Sequence, residues 1–337
     1  MFPRGRGRIT AGLALVGLVA ALTVVGVALH QAEAQQVVNI YTTNDPPENE
    51  ALFKELEAAT GLKVNHVRMS SSELWARVQA EQPNVGADVQ WGMPNAFARQ
   101  AKKQGLLLAY KSPAWEGVPA QFKDPDGTWY GWSYWFNAIT VNRDILAKKG
   151  LTAPKSWNDL LDPKWKGEVV MPNPGTSGTA YLAVSGLFQL MGEENGWKYL
   201  EALDKNVAQY TKSGSAPAEM VARGEYAAAI TWDQAVMSRV QKGFPIEFII
   251  PTEGTPLDLD TIVIFKSAKN VEAAKKVVDF VGSEQGMRAA AKLRSKVTRP
   301  GIQGLVTIEP KLMNYDFDWA GANQERLMKA WKDKFGK

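Results

Sequence analysis

Val37-Val38-Asn39-Ile40-Tyr41 is a short apolar, β-branched run, and the reading of the fold starts from it. Such a run predicts a buried strand. Pro46-Pro47 follows. Leu52, Phe53 and Leu56 then recur at helical spacing, up to Gly61, a residue suited to the left-handed C′ position. Val64 to Val67 predicts a second strand. Ser71 or Ser72 is placed to cap a helix whose apolar face carries Leu74, Trp75 and Val78. Ala87 to Trp91 predicts a third strand. Strand, helix, strand, helix, strand in this order predicts an α/β protein with a mostly parallel sheet and helices on both faces.

Toward the C-terminus, a turn at Asp124-Pro125-Asp126-Gly127 interrupts the alternation, and an aromatic stretch from Trp129 to Phe136 follows. The pattern then resumes. Ser156 and Asp159 have capping-box spacing for a short helix. Glu168 to Met171, Ala227 to Thr231, Ile246 to Ile250 and Thr261 to Phe265 predict strands. Ala180 to Met191 and Val271 to Val281 predict helices, and Asn323 to Lys337 an amphipathic one with Leu327 and Trp331 on its apolar face. Two α/β blocks result, with crossings expected near 129–140 and 257–262. The expected boundaries are a leader over 1–34, a first lobe over 35–135, a second over 136–257, and a return to the first over 258–337. Two crossing strands would form a hinge, and a ligand would sit in the cleft between the lobes.

The leader accounts for part of the charge. The chain has 337 residues, 39 Lys+Arg and 35 Asp+Glu, for a formal charge of +4. Arg4, Arg6 and Arg8 against Glu33 give residues 1–34 a charge of +2, so the remainder carries only +2. Nucleic acid is therefore not an expected partner. The three arginines precede an uncharged stretch from Ile9 to Leu29, and Ala32-Glu33-Ala34 supplies small residues at the positions a signal peptidase reads. Cleavage would leave Gln35 as the N-terminus and put the protein outside the cytoplasm. Retention of the stretch as a membrane anchor is the alternative. With no cysteine, disulfides, thiolate catalysis and cysteine metal sites are excluded. With His30 and His66 the only histidines, so is a multi-histidine metal site. His66 reads as a partly buried strand residue.

The strongest local signal for chemistry is Asn173-Pro174-Gly175-Thr176-Ser177-Gly178-Thr179, between a strand and a helix. Gly175 and Gly178 permit close backbone approach. Thr176, Ser177 and Thr179 add hydroxyls beside free N–H groups, which suits an anion, a phosphate-like group above all. No lysine follows the second glycine, which disfavours a nucleotide P-loop. Lys212-Ser213-Gly214-Ser215 repeats the donor chemistry on the next connection and adds a positive charge. Thr43 and Asn44 follow the first strand, Ser71 the second, and Trp91 ends the third, all at carboxyl ends of strands, where open α/β sheets place ligands. Trp232 and Asp233 end a further strand and offer an aromatic wall and a carboxylate for a cationic group. Asp258 and Asp260, near the second crossing, are further candidate carboxylates that add negative charge. Each of these residues also fits a plain cap or turn.

The combination of leader, two lobes and these loops resembles the extracellular solute-binding proteins of ABC importers, in particular the ferric-iron and 2-aminoethylphosphonate branch of the type II periplasmic binding fold. The resemblance rests most on Ser156-Trp157-Asn158-Asp159-Leu160-Leu161-Asp162-Pro163 with Trp165-Lys166-Gly167, on the 171–179 loop, on Ala208 to Ser215, and on Gly224-Glu225-Tyr226. Ferric-binding members place adjacent tyrosines where this chain has Trp232-Asp233, and often a histidine where Asp45 stands. The resemblance therefore implies a phosphonate or phosphate held by the 176–179 and 213–215 turns. That Asp233 then pairs with a ligand ammonium is an expectation from its charge, not from the resemblance. The resemblance further implies a monomeric, non-catalytic binding protein without cofactor or resident metal that delivers its ligand to an ABC permease from the periplasm or cell exterior. A ferric iron carrier is the alternative in the same class. A secreted hydrolase and a sensor ectodomain are alternatives of other classes, and no G-x-S-x-G or H-E-x-x-H motif supports the hydrolase.

Overall fold

The computed structural model describes residues 36–336, so the expected leader over 1–34 lies outside them. β1 (Val37–Thr42) buries Val38 and Ile40. Two prolines open α1 (Pro46–Thr60), whose N-terminal positions need no N–H donors. Leu52, Phe53 and Leu56 form its buried stripe, and Gly61, at φ 71°, ends it with its N–H on the Glu57 carbonyl. β2 (Lys63–Arg68) leads into α2 (Ser71–Glu81), which starts one residue earlier than the sequence suggests. Ser70, extended at φ −70° and ψ 152°, holds the cap position, so Ser71 and Ser72 are helical. His66 is exposed beside Phe53, at a ring distance of 5.0 Å. It is not partly buried, because β2 is the outermost strand of the sheet.

β3 (Val89–Pro94) and α3 (Asn95–Lys103) complete the first group. β4 (Trp129–Asn142) is the long crossing strand. α4 (Arg143–Lys149) follows it, capped by the Asn142 side chain. The Ser156–Asp159 pair forms with reciprocal bonds of 3.1 Å, but what it caps is a 3-10 turn over Asn158–Leu161. Next come β5 (Val169–Pro172), α5 (Gly178–Met191), α6 (Glu193–Asp204), β6 (Val207–Thr211), α7 (Ala216–Ala222), β7 (Ala228–Trp232), α8 (Asp233–Val240) and β8 (Ile246–Ile249). β9 (Leu257–Ile264), α9 (Val271–Gly282), α10 (Glu284–Ala291), β10 (Lys296–Val297) and α11 (Phe317–Phe335) finish the chain.

The strands run in the order β2-β1-β3-β9-β4-β7-β5-β6, with β8 and β10 also paired to β4. Each end is a parallel trio, and the middle is antiparallel. β4 serves both halves: Trp129 to Phe136 pair with β9, and Asn137 to Val141 with β7. One core lies under the first trio, where Ile40, Leu56, Trp132 and Val278 are buried together. Another joins α3, α5 and the far end of β4 to α11, whose Leu327 and Trp331 are buried as its periodicity predicts. Among the described residues no helix is long and apolar enough to cross a membrane.

Candidate ligand-binding cleft

Carboxyl ends of β1, β2, β5, β6 and β7 converge on one cleft, as expected for ligands on open α/β sheets. Its rim is a set of hydroxyls. Ser177 holds the N-cap position of α5 but makes no capping bond. Neither its hydroxyl nor those of Ser71 and Thr179 finds a hydrogen-bond partner among the described residues. The first N–H groups of α2 and α5 have no intrahelical acceptors either, and both helix dipoles place positive potential there. Ser213 and Ser215 face each other at 3.1 Å on the next turn. Gly214 between them must lack a side chain, since a Cβ would collide with the Thr179 hydroxyl.

The two sides of the cleft touch across the rim. A Cβ on Gly178 would lie 2.7 Å from that of Ser71, so only glycine lets α5 approach α2 this closely. Lys212 Nζ reaches Glu73 at 2.9 Å. The Ser72 hydroxyl donates to the Pro174 carbonyl at 3.4 Å.

The floor is ionic. Arg294 is buried, with Nη1 on Asp260 at 2.7 Å and Nη2 on Glu48 at 2.9 Å and on the Asn44 Oδ1 at 2.6 Å. Its guanidinium lies over Trp132 at 4.5 Å and Trp232 at 5.4 Å. Burial pushes the Glu48 carboxyl up to about 7, against the pull of Arg294. Burial also raises Asp260, again against Arg294. Asp260 accepts from Ser133 and from the indole N–H of Trp135, both at 3.1 Å. Arg68, at the end of β2, pairs with Asp45 at 2.9 Å and leaves Nη1 without a partner among the described residues.

Of the residues singled out in the sequence, Thr43, Asn44, Ser71, Ser177, Gly178, Thr179, Ser213, Gly214, Ser215 and Trp232 line this cleft together. Others do not. Gly175 and Thr176 build the turn: the Gly175 N–H goes to Asn173 Oδ1 at 2.8 Å, and the Thr176 hydroxyl to the Lys212 carbonyl at 2.9 Å. Trp91 is core, packed on Phe53 and Trp132. Lys212 points outward to Glu73 rather than into the cleft. Asp233 is 0% exposed and accepts from the Phe136 N–H at 3.3 Å. As the first residue of α8 it turns away from the face that Trp232 presents, and burial pushes it up to about 7. Asp258 is likewise internal, accepting from the Asn95 and Leu259 N–H groups at 3.0 and 2.7 Å, and burial pushes it up to about 8. Sequence reasoning missed Arg68, Trp135 and Arg294. Arg68 ends β2, one residue beyond the predicted span Val64 to Val67. Arg294 lies in a loop with no local signal.

Residues 85–319 match the bacterial extracellular solute-binding protein family. The chain belongs to that family. It is a substrate-binding protein of the ABC-importer type, and the proteins of this family bind small ligands for delivery to ABC permeases. Members are periplasmic or extracellular transport proteins. A solved relative is the periplasmic binding protein AfuA of Actinobacillus pleuropneumoniae with fructose 6-phosphate bound. It is 33% identical, matches 90% of this chain and 99% of its own, and superposes with a TM-score of 0.85. Iron uptake protein A1 of Synechocystis is 27% identical over 74% of this chain and 72% of its own. A Salmonella paratyphi A periplasmic protein named for 2-aminoethylphosphonate binding is 24% identical over 81% of this chain and 82% of its own. The architecture is thus the two-lobe type II fold of periplasmic binding proteins, and members of the family carry chemically different cargo on it.

Proposed function

We propose that this solute-binding protein captures a small ligand bearing a phosphate or phosphonate group. It works outside the cytoplasm as a monomer, after loss of its leader. The lobes close about β4 near Phe136, where its pairing passes from β9 to β7, and about β9 near Leu257, the strand's first residue. One observation carries the ligand class: hydroxyls of Ser71, Ser177 and Thr179, without protein partners, gather at the N-termini of α2 and α5. A tetrahedral anion accepts many hydrogen bonds and matches that supply of donors. Two of the named relatives bind or are named for such groups.

Iron is the weaker reading. The lining contains no tyrosine or histidine, and its carboxylates, Asp45 and Asp260, are each paired with an arginine. Among the described residues no group of three or more His, Asp or Glu could hold a metal ion. Hydrolysis is weaker too, since the rim hydroxyls have no base beside them to activate one. Calorimetric titration with ethyl phosphate tests the proposal, with saturable binding expected. A tight, coloured ferric complex in a protein that ignores phosphate esters would overturn it.

A further inference from the structure

The floor of the cleft holds a donor that the protein itself does not use. Asn44 is 2% exposed and lines the cleft, and its Nδ2 has no hydrogen-bond partner among the described residues. Its orientation is fixed by chemistry. A guanidinium only donates, so the amide atom facing Arg294 Nη2 at 2.6 Å must be the oxygen. The NH₂ group is thereby held on the other side. Gly92, at φ 97°, makes room for this arrangement, because a Cβ there would lie 2.6 Å from the Asn44 Oδ1. Leaving a buried amide N–H unpaired is costly, which favours a ligand acceptor at that place.

Asp260, held by the same guanidinium, lines the same cleft. Its Oδ2 accepts from Arg294 and Ser133, while its Oδ1 accepts only from Trp135. A carboxylate offers about four acceptor positions, so one remains open on Oδ1. One guanidinium thus fixes both a residue with a free donor and a residue with a free acceptor, and the Trp135 and Trp232 rings, with centroids 5.8 Å apart, line the same cleft.

We infer that this floor reads a hydroxyl on the body of the ligand, accepting from Asn44 and donating to Asp260, so that the ligand is a hydroxylated phosphate ester rather than an aminophosphonate. This rests on the phosphoryl reading of the rim. A hydroxyl both donates and accepts, and satisfies both groups. An ammonium only donates: it leaves the Asn44 amide unpaired and faces the Arg294 charge. Asp233, the carboxylate that the sequence offered to an ammonium, is sealed in the core.

The test compares fructose 6-phosphate, ethyl phosphate and 2-aminoethylphosphonate by calorimetry on the purified protein. Fructose 6-phosphate is expected to bind at least tenfold tighter than ethyl phosphate, and 2-aminoethylphosphonate no tighter than ethyl phosphate. Asn44→Asp keeps an oxygen for Arg294 but replaces the donor by an acceptor. It is expected to abolish the fructose 6-phosphate advantage and to favour 2-aminoethylphosphonate over ethyl phosphate by tenfold or more, with a melting curve confirming the fold. Arg294→Lys, which releases the amide, is expected to lower the same ratio. Equal affinities for all three ligands in the unmodified protein, or a preference for the aminophosphonate, would overturn the inference while leaving the phosphoryl reading standing. No binding of any of them would remove the phosphoryl reading, and this inference with it.

Discussion

The rim and the floor of the cleft are built in opposite ways. The rim is local: Ser177 and Thr179 sit two residues apart on one turn, and Ser213 and Ser215 on the next. Its donors come from helix starts, so each turn needs little beyond its own strand and helix to be formed. The floor is assembled from far apart. Arg294 meets Asn44 across 250 residues and Glu48 across 246. The rim offers groups the protein leaves unpaired, which suits a ligand that arrives and departs. The floor pairs almost all of its charge internally and keeps only a neutral donor and one acceptor position free. Removing a rim hydroxyl should therefore cost binding, and removing a floor charge should cost the fold.

The largest effect expected from that contrast is at Arg294. Arg294→Met strands Glu48 and Asp260 in a buried setting and should lower unfolding free energy by about 3–5 kcal/mol. Urea denaturation measures it. A loss below about 1 kcal/mol would mean that packing, not the ion cluster, holds the floor.

Glu48 gives the floor a pH signature. Its folded pKa is raised from 4.5 to about 7, so in that window the folded state keeps a proton that the unfolded chain releases. The Glu48 contribution to stability should fall as pH rises from 4.5 to about 7, beside the parallel contributions of Asp233 and Asp258, which burial also raises. At roughly 1.4 kcal/mol per pKa unit, the Glu48 share of the decline is of the order of 3 kcal/mol. Glu48→Gln should remove that share, leaving the part due to Asp233 and Asp258, in denaturation curves taken across this range. An unchanged slope would assign the decline to another group.

The rim is tested by Ser177→Ala combined with Thr179→Ala. Loss of two hydrogen bonds to a charged group should weaken binding of a phosphate ester by about 2–4 kcal/mol, with little change in melting temperature. A large fall in melting temperature would erase the contrast between rim and floor.

A smaller effect should come from the glycine that lets the two sides meet. Gly178→Ala puts a Cβ 2.7 Å from that of Ser71 and should cost about 1–3 kcal/mol of ligand affinity by hindering closure. Adding Ser71→Gly should recover the compact form in small-angle scattering. If Gly178→Ala alone closes normally, the contact is not what limits approach.

The sequence by itself determined the alternation of strands and helices, the parallel groups and the hydroxyl turns, because each depends on neighbours within about one strand and one helix. Ser177, Thr179, Ser213 and Ser215 were legible for that reason: hydroxyls and glycines at a strand-to-helix turn have a local meaning. Tertiary structure alone decided which of two adjacent residues faces the cleft. Trp232 lines it and Asp233 does not, since the turn from β7 into α8 sends consecutive side chains to opposite sides. Packing also decided that Asp258 would be enclosed while Asp260, two residues on, met an arginine at the cleft. Arg294 had no local signal, because its partners lie on β1, α1 and β9, and only folding brings them to one guanidinium. A buried charge must find its compensation wherever the chain supplies it, and sequence distance places no limit on that.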